Sequence, residues 1–129
     1  MTLNVKGYAA FGAKEDLVPH NFVRRDPRDN DVVIEILYSG VCHSDIHNAF
    51  NDWGGAKYPM VPGHEIIGRV IQVGKAVTKF SPGDYAGVGC MVDSCQHCKP
   101  CVQGLEQYCE EGNTLTYNVV ERHDHMPTY

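Results

Sequence analysis

The chain has 129 residues, of which 43% are hydrophobic and 21% charged, and this composition is typical of one soluble globular domain with a small core. No apolar run reaches the roughly 18 residues of a membrane helix, and the N-terminal stretch lacks the features of a signal peptide, so we expect a cytoplasmic protein. The formal net charge is −5 with scattered lysines and arginines, which argues against nucleic acid or an anionic membrane as partner.

The predicted elements are mainly strands. Residues 5–12 (VKGYAAFG) and 31–42 (DVVIEILYSGVC) carry the β-branched, partly alternating pattern of half-buried strands, and residues 25–31 between them form a turn-rich loop. The alternation returns in residues 64–80, and SPGD at 81–84 is typical of a turn. We therefore predict strand, turn and strand in this region.

Only one short helix is predicted, in residues 44–51 (SDIHNAFN). Ser44 is placed to cap its first turn, and Asp45 lies near the positive end of its dipole. With glycine and proline spread along the chain, the pattern predicts a mainly β sheet or barrel with long functional loops.

Four of the six cysteines lie close together, at positions 95, 98, 101 and 109. Disulfides are rare in reducing compartments. The bacterial ferredoxin spacing fails because Leu105 stands where the fourth cysteine belongs. Four thiolates spaced CxxCxxCx7C favour a closed, structural zinc site. Lys99 would offset part of its negative charge, and His97 is interpreted as a solvated bystander.

A second group of metal-competent residues lies in two other loops. Cys42 ends a predicted strand, and His64 and Glu65 open the next one. Taken singly, Cys42 is more typical of a small buried residue and His64 of a hydrogen-bonded strand end. Together they suit an open zinc site, with Asp45 accepting the second N–H of His64 to fix its tautomer.

Three stretches carry a resemblance to a known family: GVCHSDIH (40–47), residues 52–90 and DSCQHCKPCVQGLEQYC (93–109). The sequence resembles the catalytic domain of zinc-dependent medium-chain alcohol dehydrogenases, in particular the cinnamyl alcohol dehydrogenases and bacterial aldehyde reductases, from about residue 6 to about residue 120. The resemblance implies a GroES-like, partly open β-barrel with short helices and a zinc-bound loop. It also implies reversible oxidation of a primary alcohol to an aldehyde with NADP.

The resemblance also implies roles for individual residues. The implied catalytic-zinc ligands are Cys42 and His64, with Glu65 able to approach the metal, and the implied structural-zinc ligands are Cys95, Cys98, Cys101 and Cys109. Ser44 and His47 match a proton relay, and His43 matches a position that contacts the cofactor pyrophosphate. Trp53 and Tyr58 are either walls of an aromatic substrate pocket or covers of the barrel end.

Two features of the family are missing from the sequence. The chain carries no GxGxxG fingerprint of a Rossmann domain, and it lacks the third cysteine that completes the family's catalytic zinc site. We therefore expect residues 1–129 to be a GroES-like catalytic domain, incomplete at its C-terminus and inactive alone. The resemblance implies an alcohol or aldehyde as the small-molecule partner and a homodimer for the full-length protein.

Two alternative functions stay open at this point. One is a non-enzymatic zinc-binding β-barrel, and the other is part of a zinc-dependent polyol or amino-alcohol dehydrogenase. The CHSDIH and GHE motifs argue against the first, because a purely structural module needs no proton relay.

Overall fold

The structure is a computed structural model that describes residues 3–129. Its regular elements are mostly short strands, and within the described residues no helix is long and apolar enough to cross a membrane. The strands are β1 (Leu3–Ala9), β2 (Val18–Arg24), β3 (Val32–Gly40), β4 (Glu65–Val73), β5 (Tyr85–Val88), β6 (Met91–Asp93) and β7 (Thr114–Leu115), and the helices are α1 (His43–Phe50), α2 (Lys99–Val102) and a 3-10 turn (Glu106–Tyr108).

The strands form three separate antiparallel sheets. β1 pairs with β2, β3 and β5 flank β4, and β6 pairs with β7. Strands dominate the fold, and the three sheets do not join into a closed cylinder. The predicted mainly β, partly open barrel is therefore confirmed. β3 is irregular at two places in its pairing with β4, which bends the longest strand pair around the interior.

Strand β2 is an element that the sequence pattern did not predict. Its residues, VPHNFVR, mix polar and apolar side chains and include Pro19, which cannot donate a backbone hydrogen bond. Within the described residues β2 pairs only with β1, so it is an edge strand, where proline is tolerated. Pairing across the sheet, rather than local alternation, makes this segment extended.

The strand, turn and strand predicted from residue 64 onward are confirmed. β4 ends at Val73, and the second strand, β5, starts only after the SPGD turn. At Gly74, directly after β4, the backbone passes very close to the backbone of Arg28. A Cβ atom at position 74 would lie 2.2 Å from the carbonyl oxygen of Arg28. The backbone N–H of Ala76 then donates to Asp29 O, so this segment pairs with a loop.

Helix α1 begins one residue earlier than predicted. Cys42, not Ser44, is its N-cap residue, with extended backbone angles. The carboxylate of Asp45, at the third helical position, accepts the backbone N–H of Cys42 over 2.9 Å. This bond satisfies a donor that the start of a helix otherwise leaves unpaired. The predicted Ser44 cap was therefore wrong, because Cys42 occupies the N-cap position and Ser44 lies inside the helix.

A small buried cluster holds α1 against two loops. It consists of Ala10, Ala49, Met60 and Tyr117, with Tyr58 packed against its side. Ala10 and Met60 also pair through both of their backbone groups at 2.9 Å. Because these residues come from four distant parts of the chain, the cluster fixes α1 relative to the loop that leads into β4.

A group of ion pairs fastens the last residues of the chain to the loop before β3. The side chain of Glu121 is 9% exposed, and its two oxygens share the single Nε–H of Arg25, each at 2.8 Å. Glu121 also accepts a hydrogen bond of 3.2 Å from Arg28. Arg25 also contacts Asp31. Burial acts to raise the pKa of Asp31, but hydrogen bonds from Arg25 and the backbone of Arg28 hold it below its ordinary value.

We predict that Glu121→Gln lowers the free energy of unfolding by about 2 kcal/mol, because it removes the most buried carboxylate of the cluster from partly buried guanidinium groups. Urea unfolding followed by circular dichroism measures this change. Asp29→Asn is the matched control, since it breaks an exposed pair with Lys75 and is expected to cost no more than about 0.5 kcal/mol. Equal losses in the two variants would contradict the importance of the Glu121 cluster.

Candidate metal centres

The four clustered cysteines are brought together by a loop with two tight turns. Cys98 is the N-cap residue of α2, and Pro100 occupies its first turn, where a missing backbone donor costs nothing. Gly104 then turns the chain back with a φ of 75°, a left-handed angle that favours glycine. The 3-10 turn follows and delivers Cys109 to the other three cysteines.

The sulfur atoms of Cys95, Cys98, Cys101 and Cys109 all lie within 4.8 Å of one another. The Sγ atoms of Cys95 and Cys101 are 3.9 Å apart, close to the roughly 3.8 Å between sulfurs of a tetrahedral zinc site with Zn–S bonds of about 2.3 Å. All six cysteines are free. Distance and donor chemistry therefore both fit a four-thiolate zinc site, as the spacing predicts.

Backbone groups also face these sulfurs. The N–H of Cys98 donates to Cys95 Sγ over 3.3 Å, and the N–H of Cys95 donates to Cys109 Sγ over 3.4 Å. Such donors stabilise thiolates, because they place partial positive charge next to the sulfur. The backbone of this loop therefore offers hydrogen-bond donors that suit sulfur ligands of a metal.

Three polar side chains surround the cysteine cluster, and the sequence pattern had assigned none of them a role there. The Nη2 atom of Arg122 lies 3.8 Å from Cys109 Sγ, and its Nη1 atom donates to Glu111 over 3.1 Å. Glu111 lies 2.7 Å from His97 Nε2, while His97 Nδ1 lies 2.7 Å from Cys95 O. The side chain of His97 is 71% exposed, so it is solvated as the sequence predicts, although it also contacts Glu111.

The second predicted group also comes together. The donor atoms of Cys42, His64 and Glu65 lie within 4.8 Å of one another. Sulfur, imidazole nitrogen and carboxylate oxygen are all ligand types that zinc accepts. Cys42 stands between β3 and α1, whereas His64 and Glu65 stand at the start of β4, so the β3–β4 pairing places them side by side.

Asp45 connects the two halves of this group. Its Oδ1 atom lies 3.1 Å from Nδ1 of His64, while Oδ2 accepts the backbone N–H of Cys42. A buried carboxylate holds the proton of His64 on Nδ1, which leaves Nε2 free to bind a metal. Burial acts to lower the pKa of His64, but hydrogen bonds with Cys42 and the charge of Asp45 raise it above its ordinary value.

Ser44 lies next to Cys42 at the start of α1. Hydrogen bonds from the Ser44 hydroxyl and backbone, and a smaller contribution from His64, lower the pKa of the Cys42 thiol. A lower thiol pKa favours the thiolate, which is the metal-binding form of cysteine. Ser44, the predicted proton-relay residue, therefore directly contacts Cys42, the predicted metal ligand.

Gly40 leaves room for the side chain of Glu65 beside this group. A Cβ atom at Gly40 would lie 2.3 Å from Glu65 Oε2 and 3.0 Å from Glu65 Cβ. A side chain at position 40 would therefore force the Glu65 side chain to shift from this position. Gly40 thus keeps the space beside Cys42 open for Glu65.

The other predicted residues of α1 and its following loop form an exposed aromatic row. The rings of His43 and His47 lie 5.0 Å apart, and those of His47 and Trp53 lie 4.9 Å apart. His47 Nδ1 is 2.9 Å from Asp52. Trp53 is 64% exposed, so its indole is open to solvent rather than packed in the core.

Tyr58 has the opposite environment. Its ring packs against the core cluster, its hydroxyl donates to Ala49 O over 2.7 Å, and burial raises its pKa. Of the two roles that the sequence left open for it, covering the barrel end agrees better with this position.

Tyr117 is a buried residue of this region that sequence reasoning missed. Its ring stacks on His64 with centroids 5.9 Å apart, and its hydroxyl accepts a bond of 3.1 Å from Asn48. Burial, together with a hydrogen bond to Asp45, raises the pKa of Tyr117. No local pattern could identify this role, because Tyr117 follows the cysteine loop and is distant in sequence from His64.

Comparisons with known proteins agree with this architecture. The family profile "Alcohol dehydrogenase GroES-like domain" matches residues 28–128. Aldehyde reductase YahK of Escherichia coli is 54% identical over 116 residues, which is 90% of this chain and 33% of that protein. Probable cinnamyl alcohol dehydrogenase 5 of Oryza sativa subsp. japonica is 54% identical over 123 residues, which is 95% of this chain and 34% of that protein.

A solved structure, CAD from Helicobacter pylori complexed with NADP(H), superposes with a TM-score of 0.94 at 48% identity. The match covers 98% of this chain and 37% of that one. The chain therefore spans about a third of the length of the relatives it matches. With its open β-sheets, its cysteine loop and the matched residues 28–128, the chain belongs to the alcohol dehydrogenase GroES-like domain family.

Proposed function

We propose that this chain is the zinc-binding catalytic domain of an NADP(H)-dependent alcohol dehydrogenase that interconverts primary, aromatic or allylic alcohols and aldehydes. The observation that carries the proposal is the meeting of Cys42, His64 and Glu65 beside Asp45, at a distance from a separate four-cysteine cluster. The names of the similar proteins, an aldehyde reductase and a cinnamyl alcohol dehydrogenase, support the reaction type.

The two groups have different chemical roles in this proposal. Four cysteine thiolates would fill every position of a tetrahedral zinc ion, so the cluster at Cys95 to Cys109 would only hold the loop. The group at Cys42 offers fewer ligands and therefore leaves room for a substrate oxygen. Zinc bound there would polarise an alcohol or carbonyl oxygen as a Lewis acid.

The neighbouring residues would manage the proton of that oxygen. The hydroxyl of Ser44 stands next to Cys42, where it can exchange a proton with a substrate hydroxyl. His47, on the same helix and half-buried beside Asp52, can pass a proton between Ser44 and solvent. Asp45 would position His64, and Glu65 would approach the metal across the space left by Gly40.

The hydride acceptor would be the nicotinamide of NADP(H). His43, exposed at the start of α1, is the residue of this chain proposed to contact the cofactor pyrophosphate. Trp53 is proposed as a wall of the substrate site, because its exposed ring adjoins His47. We further propose a cytoplasmic location, since all six cysteines are free, and a homodimer for the whole protein.

We predict that the purified protein retains about one firmly bound zinc per chain after dialysis and that Cys98→Ser abolishes this binding, because a structural zinc needs all four thiolates. Elemental analysis with free-thiol titration measures both. Cys90→Ser is the control, since Cys90 belongs to neither donor group. Loss of zinc from both variants, or from neither, would contradict the assignment of the cluster.

We predict that Tyr117→Phe weakens Co²⁺ binding at Cys42, His64 and Glu65 by about 3- to 10-fold, because it removes the hydroxyl that holds Asp45 while retaining the stacking on His64. Titration of the visible Co²⁺ absorption measures the affinity. Tyr108→Phe is the matched control, since Tyr108 is 68% exposed in the 3-10 turn. Unchanged binding in Tyr117→Phe would show that the hydroxyl does not position the ligands.

We predict that the 129-residue chain alone does not reduce benzaldehyde with NADPH, because it has no dinucleotide fingerprint to hold the nicotinamide. A chimera in which it replaces the matching part of the Escherichia coli relative is expected to do so, measured as loss of NADPH absorbance. Cys42→Ser in the chimera is expected to abolish turnover. A folded chimera that binds NADPH and zinc but never turns over would contradict the proposed activity.

A further inference from the structure

Arg122 occupies an unusual environment next to the cysteine cluster. Its side chain is only 21% exposed, its Nη2 atom contacts both Cys109 Sγ and the backbone oxygen of Gly112, and its Nη1 atom donates to Glu111. The Nε atom is buried and has no hydrogen-bond partner among the described residues. The guanidinium is therefore held in place although one of its donors is unsatisfied.

Burial of a cation with an unsatisfied donor is costly, so a compensating negative charge is expected nearby. The carboxylate of Glu111 is 49% exposed and also pairs with His97, so it compensates Arg122 only in part. The other group that Arg122 contacts and that would carry negative charge with a metal bound is Cys109 Sγ, 3.8 Å from Nη2. Four thiolates around a divalent ion leave an excess of negative charge, which a guanidinium at this distance lowers in energy.

We infer that Arg122 is the counter-charge of the cysteine cluster and that it stabilises the zinc-bound, four-thiolate form of the loop. This inference rests on the proposed structural zinc site. Lys99, the cation that the sequence placed in this role, is exposed at the start of α2 and forms no ion pair within residues 3–129. Arg122 reaches the cluster from outside the cysteine loop, through the segment that follows β7.

The variant Glu111→Gln distinguishes an electrostatic role for Arg122 from a mechanical one. If the chain of contacts from His97 through Glu111 to Arg122 simply fastens the loop, removing the charge of Glu111 should loosen the zinc. If Arg122 acts by its charge, removing a competing carboxylate should leave more of that charge for the thiolates. Gly112 O still holds Arg122 in that variant, so zinc should be retained equally well or better.

The test measures the rate of zinc release to excess chelator with a colorimetric zinc indicator. A Cys42→Ser background weakens the second donor group, so that the released zinc comes from the cysteine cluster. We expect about tenfold faster release in Arg122→Gln, which corresponds to about 1.4 kcal/mol less activation free energy for zinc release. Arg122→Lys should increase the rate less. Glu111→Gln should leave the rate unchanged or lower it. Arg69→Gln is the control, because Arg69 stacks over Tyr85 on another sheet and its removal should change nothing.

Release from Arg122→Gln at the unsubstituted rate would overturn the inference while leaving the zinc site intact. Faster release from Glu111→Gln would also overturn it, in favour of a mechanical clasp. If Arg122→Gln does not fold, the direction of the Glu111→Gln effect decides alone. A protein with no zinc on its cysteines before any substitution would overturn both the inference and the proposed structural site.

Discussion

The carboxylate of Asp45 is the group on which the second donor cluster depends. One oxygen caps α1 at the N–H of Cys42, and the other faces Nδ1 of His64 at the start of β4. A single buried anion thus fixes a helix start, a histidine tautomer and the spacing between two prospective ligands. Tyr117 covers this anion from a third part of the chain, so the site is held by residues from three separate segments.

The cysteine loop and the barrel are linked by the segment that follows β7. Tyr117 in that segment packs beside His64, Arg122 contacts Cys109, and Glu121 pairs with Arg25 before β3. None of the three sheets is large enough to bury a substantial core alone. Side-chain contacts from this one irregular segment therefore connect the parts that backbone pairing leaves separate.

Much of the architecture could be predicted from local patterns. The segments of β3 and β4 carry β-branched residues with partial or full alternation, and the cysteine spacing predicted the cluster that the structure brings together. Strand β2 escaped prediction because its extended form comes from pairing with β1, and the Ser44 cap was wrong because Cys42 occupies the N-cap position. The sequence pattern also gave no sign that position 40 needs a small residue. The carboxylate that occupies the space beside Gly40 belongs to Glu65 on a neighbouring strand.

The sequence by itself determined the donor chemistry: thiols, an imidazole and carboxylates at spacings that metals accept, on a mainly β chain with a recognisable family pattern. Only the tertiary structure decided which groups support those donors. Tyr117 lies 69 residues from its partner Asn48, and Arg122 lies 13 residues beyond Cys109, outside the cysteine spacing. Hydrogen bonds and charges act over a few ångströms of space and leave no such pattern in the sequence. For that reason the ligands could be read from the sequence, whereas their supporting residues required the fold.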